Sequence, residues 1–367
     1  MIAIRVFVLF VKRFPFLDWM RGLAIVVMIQ CHTFNSMVRM DLRDGGGYVF
    51  SQFVGGMAAP LFLFMAGMTL AFQMESLERR EPRAMRRWLT ALRRGGYILA
   101  IAFLFRITNW MGSWPNGNLQ EITKVDILNC MGVGMGVLAF VAAFESSKRA
   151  RAAAVFGFAV AGLAPILANL SWDGVPPLLR EYLVPLPGRG HFPFFPCASY
   201  LGFGLACGTI VKRTAMERFE RLMQWSVLIG FGLILGAEYL ANVPYSIYAK
   251  SNFWTDNPTL ILIRVGIILL ALAASYVWTE YCAAPRWSWM QCLGKNSLMV
   301  YWVHVMLVYG ALARPLKRTM NAWQAALATM FVAALMVALS AAWQRRKAVR
   351  AERWRAATTV ARGAALA

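Results

Sequence analysis

Apolar runs of about 20 residues alternate with short charged connectors along nearly the whole chain, near residues 19–38, 54–74, 95–111, 127–144, 153–170, 194–211, 225–243, 258–279, 294–312 and 322–343. A hydrocarbon core about 30 Å thick takes about 20 helical residues to cross. The pattern therefore predicts an all-α fold, a polytopic transmembrane helix bundle of about ten helices. Arg106 and Asn109 interrupt the third run. Residues 17–343 read as one transmembrane domain, with an interfacial leader at 1–16 and a basic tail at 344–367. The leader's apolar stretch is broken by Arg5 and followed by Lys12 and Arg13, with no small-residue cleavage site, so it does not read as a signal peptide. The tail reads as a surface-bound amphipathic helix or a disordered segment. The segments Pro60–Ala71 and Pro193–Gly204 each enter a span after a proline and resemble one another, as a same-direction repeat or through shared membrane composition.

Composition agrees with the pattern: of 367 residues, 59% are hydrophobic and 15% charged, too few polar residues to cover a soluble domain of this size. The net charge of +21 raises the question of nucleic acid, but the basic residues sit in alternate connectors and form no groove-sized patch. With the N-terminus cytoplasmic, the inner segments hold 25 of the 38 Lys and Arg residues, the outer loops nine and the spans four. The loop at 75–94 alone carries seven arginines. Positive-inside asymmetry thus predicts cytoplasmic N- and C-termini, an even number of spans and a multi-pass protein of the cytoplasmic (inner) membrane. The six cysteines show no metal-like spacing, so no metal is expected.

Ionisable residues inside spans cost at least about 2.5 kcal/mol each at a helix centre and ask for a reason. In the first span Arg21 and His32 are eleven residues apart, which returns a helix to nearly the same face. Asp18 lies one turn before Arg21 on that stripe, and Asn35 extends it outward. The blander alternative is an Asp18–Arg21 interfacial anchor plus a lone satisfied histidine. A second cluster opens the ninth span: Lys295, Asn296 and Ser297 at a helix N-terminus suited to an anion such as a phosphate, then Tyr301 and His304 on one face. Against this stand snorkelling of Lys295 and an interhelical hydrogen bond from His304. A third set comprises Arg106, Asn109, Asn129, Glu238 and Arg264, with His191 before the sixth span. Pairing of Glu238 with Arg106 or Arg264 would bury these cheaply, around a cavity or as structural glue. The aromatics Trp110, Trp114, Trp172, Tyr245, Tyr248 and Trp254 stack on a sugar or form an ordinary interfacial belt. The small residues Gly202, Gly204 and Gly208 serve packing within the chain or between two copies, so a homodimer is possible.

The stretch Leu17-Asp-Trp-Met-Arg-Gly-Leu-Ala24, with His32 eleven residues after the arginine, resembles the first core helix of the transmembrane acyltransferases. Three further segments resemble the bacterial relatives of the heparan-α-glucosaminide N-acetyltransferase catalytic domain: Ala59–Gly67, Phe192–Pro196 with its following glycines, and Leu293–His304. The likeness runs in order from about residue 16 to 310. It implies an enzyme that moves an acetyl or other acyl group from cytoplasmic acyl-CoA (acetyl-CoA) to an amine or hydroxyl of an extracytoplasmic sugar or glycan. On that reading His32 is catalytic, as base or acyl carrier. Asp18 and Arg21 order its helix; Arg21, Lys295, Asn296 and Ser297 meet the coenzyme. Asn35, Arg106, Asn109, Glu238, Arg264 and His304 meet the acceptor. In the family's lysosomal members the catalytic histidine is placed in the loop after this helix, where this chain has none before His191. A multi-spanning transporter or permease for a small polar or sugar-like solute is the alternative, since midplane ionisable groups and proline-marked spans serve one equally.

Overall fold

The computed structural model describes residues 14–81, 83–112, 118–186, 192–282 and 287–364, with side chains to 353. The leader at 1–13, Trp114 and His191 lie outside the described residues. Helices follow the apolar runs in order: α1 (Pro15–Met37), α2 (Gly46–Gly55), α3 (Ala58–Glu78), α4 (Ala84–Met111), α5 (Gln120–Thr123), α6 (Ile127–Ala142) and α7 (Ser146–Ala168). They continue as α8 (Pro177–Leu183), α9 (Phe194–Arg213), α10 (Phe219–Asn242), α11 (Pro258–Val277), α12 (Trp289–Lys295), α13 (Ser297–Tyr309) and α14 (Ala322–Ala364). Among the described residues eight helical stretches are long and apolar enough to cross a membrane. The α1 helix, whose polar stripe lowers its hydropathy, and the shorter α13 occupy the other two predicted spans. The protein is an all-α, multi-pass membrane bundle. No strand occurs among the described residues; Val38 and Met320 form an isolated bridge.

Helices run past the predicted spans at their basic ends. Four of the seven arginines assigned to the 75–94 loop, Arg86, Arg87, Arg93 and Arg94, ride on the first turns of α4, and α14 carries the helix on through the basic tail. Arginine is a good helix former, and its long side chain carries the charge away from the apolar surface beneath it. The Gly-rich segment before the second span, read as a connector, forms α2.

The chain divides into two compact units, Met1–Met20 with Gly56–Ala284 and Arg21–Gly55 with Pro285–Ala367. The centre of the first is the α3–α9 pair. A Cβ on Gly204 would strike the Phe64 carbonyl, and one on Gly67 the Leu201 carbonyl, so the two backbones meet because each offers glycine to the other. Gly202 and Gly208 likewise face Ala153 and Met68. The small-residue surface is thus consumed inside this unit. Large apolar side chains such as Phe140, Phe158, Leu228 and Phe231 lie exposed on α6, α7 and α10, as a lipid-facing surface requires.

The charged end of this unit is closed by Arg149, fully buried on the first turn of α7. Its guanidinium meets Glu75 at 2.8 Å and Glu78 at 2.6 Å, and donates to the carbonyls of Ala142 (2.9 Å) and Phe144 (2.7 Å). Arg87 donates to the carbonyl of Ala143 between them, at 2.9 Å from Nη2. The carbonyls that the end of α6 leaves without helical partners are therefore covered by two arginines, one of them neutralised by α3.

In the second unit α1 and α13 run side by side in the same direction. His32 meets His304 and Ser36 meets Val308, both across a separation of 272 residues, so the two helices advance in register. At its start, α1 abuts α12, where Gly22 leaves no room for a Cβ against the Met290 carbonyl. At its end, the loop after α13 is pinned to it by Arg318 N–H to Ser36 O (3.1 Å) and Met320 N–H to Met37 O (2.9 Å).

Replacing Arg149 by Met leaves Glu75 buried without its cation, so the thermal unfolding midpoint of the purified protein should fall by an amount equivalent to about 3–5 kcal/mol. Arg149→Lys should not restore it, because one ammonium cannot span two carboxylates and two carbonyls.

Candidate functional site

The sequence places His32 late on α1 and His304 in the second half of α13; the register of the two helices brings their rings together. Nδ1 of His32 lies 2.9 Å from Nε2 of His304, and the ring planes differ by 9°. The nitrogens are closer than stacked rings can approach, so the rings lie edge to edge in one plane, aligned for a hydrogen bond. His304 is fully buried, and its Nδ1 lies 2.7 Å from the Val300 carbonyl.

That carbonyl fixes the protons. It can only accept, so Nδ1 of His304 carries hydrogen. In the uncharged pair Nε2 of His304 is then a lone pair, and His32 must donate to it from Nδ1. The second nitrogen of His32, Nε2, is left as a bare lone pair that makes no hydrogen bond among the described residues. His304 thus holds His32 in one tautomer and one orientation.

One turn beyond His32 a polar array follows. Asn35 donates to the Tyr309 hydroxyl at 3.2 Å and accepts from the Tyr48 hydroxyl at 3.4 Å. Arg43 donates to the Asn35 carbonyl at 2.6 Å and lies over the Tyr48 ring at 5.2 Å. The Tyr309 ring stands edge-on to His32, 5.4 Å between centres. Lys317 donates to the Tyr309 carbonyl at 2.6 Å; its burial, with Arg314 and Arg318 beside it, depresses its affinity for a proton. Tyr48, Tyr309 and Arg43 were not singled out from sequence. Tyr48 lies in the helix taken for a connector, and Tyr309 follows His304 at a spacing that only the α1 partner makes meaningful.

Asp18 and Arg21 lie one turn apart on α1, Asp18 buried and Arg21 half-buried. Asn296 is buried at the break between α12 and α13, and its amide donates to the Cys292 carbonyl at 3.0 Å. Lys295 and Ser297 flank a surface groove of about 500 Å³ that also holds Trp302, Trp343 and Lys347. Lys347 lies 5.6 Å over the Trp343 ring. Two ammonium groups and the free N–H groups opening α13 suit a phosphate-bearing ligand.

In the first unit the expected Glu238 ion pair with Arg106 is replaced by another. Arg106 pairs at 3.3 Å with Asp126, which caps α6 by accepting from Leu128 and Asn129 N–H. Asn129 donates to the Tyr182 hydroxyl on α8 at 2.9 Å. Asp126 sits before its apolar run and so read as a connector. Asn109 is half-buried one turn from Arg106 on α4. Glu238 is exposed on α10, away from any such cluster. Arg264, on α11, lines a cavity of this unit.

A family model described as heparan-alpha-glucosaminide N-acetyltransferase, catalytic, matches residues 13–244. The matched segment contains His32, and His304 lies beyond it. No curated protein matches the chain.

The proton arrangement has a direct readout. With the chain's three histidines 15N-labelled, NMR should report both His32 and His304 as Nδ1–H tautomers. In His304→Phe the His32 signals should move toward the mixture of tautomers found in free imidazole. A His32 protonated at Nε2 in the native protein would overturn the assignment.

Proposed function

Because the chain belongs to the family of heparan-alpha-glucosaminide N-acetyltransferase catalytic domains, we propose that it transfers an acetyl group from acetyl-CoA to an amine or hydroxyl of a sugar, with His32 at the reacting centre. The observation that carries this reading is the oriented lone pair on His32 Nε2, held by the 2.9 Å bond to His304. His32 acts as general base. As the acceptor oxygen or nitrogen attacks the thioester carbonyl carbon, Nε2 takes its proton. When the C–S bond breaks, the imidazolium returns that proton to the departing thiolate, and the histidine is restored. His304 keeps Nδ1 engaged throughout and stabilises the transient cation. Asn35, Tyr309 and Tyr48 supply hydrogen-bond donors and acceptors to the hydroxyls of the acceptor.

Acetyl-CoA supplies the activated acyl group, and the residues present suit its phosphates: Lys295 and Lys347 as cations, Ser297 as a donor. From Ser297 to His304 is seven residues of α13, roughly 10 Å of helix, a length that the coenzyme's flexible arm can cover. The excess of Lys and Arg at the termini and alternate connectors supports a cytoplasmic face for the coenzyme end, in the inner membrane of the cell. The acceptor then meets the His32 and Asn35 end of α1 from the opposite side.

In membranes supplied with radiolabelled acetyl-CoA and glucosamine, His32→Ala should lower transfer at least about 100-fold; undiminished transfer would remove His32 from the centre. Lys295→Gln with Lys347→Gln should raise the KM for acetyl-CoA about ten-fold and leave kcat nearly unchanged.

A further inference from the structure

The first unit contains a cavity of about 330 Å³ where the start of α3, the start of α9 and the start of α11 come together. Its walls are apolar and stiff: Pro60, Pro193 and Pro196 with Phe192, Phe253 and Trp254. Two polar groups interrupt them. Arg264 stands on α11 more than a turn inside the apolar helix, and no carboxylate lies within ion-pairing distance of it among the described residues. Tyr200, on α9, is 2% exposed, and its buried hydroxyl has the Arg264 guanidinium as its polar neighbour, with no fully formed hydrogen bond among the described residues. The nearby acids are committed elsewhere: Asp256 accepts from the Asn252 N–H at 2.7 Å, and Asp126 pairs with Arg106. Asn257 at the rim is spent on capping α11 and on Ser251.

A guanidinium inside a span is expensive and is ordinarily balanced by an acid or by what it binds. A buried phenol whose polar neighbour is that same uncompensated guanidinium asks for an explanation of the same kind. Here both line one cavity, and both carry donors. The complement to a guanidinium fork and a hydroxyl is an oxyanion, which accepts several hydrogen bonds at once and supplies the missing charge. Apolar walls with few convergent polar groups describe a ligand site for a molecule with a carbon body and one charged end.

We propose that this cavity binds a small organic anion, a carboxylate or phosphate monoester seated between Arg264 and Tyr200 with its carbon body against the proline and aromatic walls. The site is built within the first unit and does not rest on the acetyl-transfer reading. The anion arrives on a soluble solute or as a lipid headgroup; the chemistry recognised is the same.

Cys197 lines the same cavity and reports on it. The full chain, in phosphatidylcholine nanodiscs without any acyl donor, is alkylated with N-ethylmaleimide, and labelling at Cys197 is followed by peptide mass spectrometry. Glucose 6-phosphate, glucuronate and inorganic phosphate are compared with uncharged glucose. The anions should slow labelling of Cys197 and raise the unfolding midpoint, while glucose should do neither. Arg264→Gln should weaken protection by about ten-fold or more, and the nearly isosteric Tyr200→Phe by several-fold without loss of fold. Protection by phosphatidylglycerol in the disc, with no increment from soluble anions, assigns the lipid headgroup; the reverse assigns a solute. The proposal is overturned if glucose protects as well as the anions, if no anion or anionic lipid protects, or if protection survives undiminished in both variants.

Discussion

Hydrocarbon offers no hydrogen bonds, and that constraint decides where every polar group of this protein can stand. Each carbonyl, guanidinium and imidazole inside the bundle must find its partner within the chain or within something the chain holds. Arg149 is the clearest case. The turn from α6 to α7 brings backbone carbonyls to a helix end with no further turn to receive them, and a cation from α7 covers them while two acids of α3 cancel its charge. Three helices are fastened by a single side chain because it is the cheapest way to satisfy them all.

The same rule sorts the residues that looked functional. Arg106 and Asp126 pair by charge, Asp126 caps α6 and Asn129 donates to Tyr182, which ties α4, α6 and α8. Asn296 settles the break between α12 and α13. Among the groups that remain less than fully partnered are Nε2 of His32 in one unit, and Arg264 beside the Tyr200 hydroxyl in the other. Unspent polarity in an apolar medium is where binding and chemistry find their driving force, so these are the places to look for them.

Much of this was legible from the sequence. The apolar runs marked the helices in order, because a span's length is dictated by the bilayer and not by its neighbours. Eight of the helical stretches among the described residues are long and apolar enough to cross a membrane. The polar residues of α1 and α13 were legible as anomalies, since each breaks an otherwise apolar run. Their pairing was not: His32 and His304 are 272 residues apart, and only the parallel register of two helices makes them partners. Asp126 and Arg149 were hidden for a different reason. Charges next to a span end look like orientation signals, and nothing in a linear pattern tells a snorkelling arginine from a fully buried one. The α2 helix was missed because a run of glycines argues for a turn, while the apolar residues after it suffice for a short helix.

The geometry of the histidine pair has one more consequence. A row of imidazoles can pass protons across a membrane if each ring can take a proton at one edge and release it at the other. Here the row ends on the Val300 carbonyl, an atom with no proton to give and no stable way to keep one. A proton placed on His32 can therefore return only by the edge through which it came. The pair works as a reservoir and not as a wire, and the polar stripe of α1 does not become a path for protons along the helix.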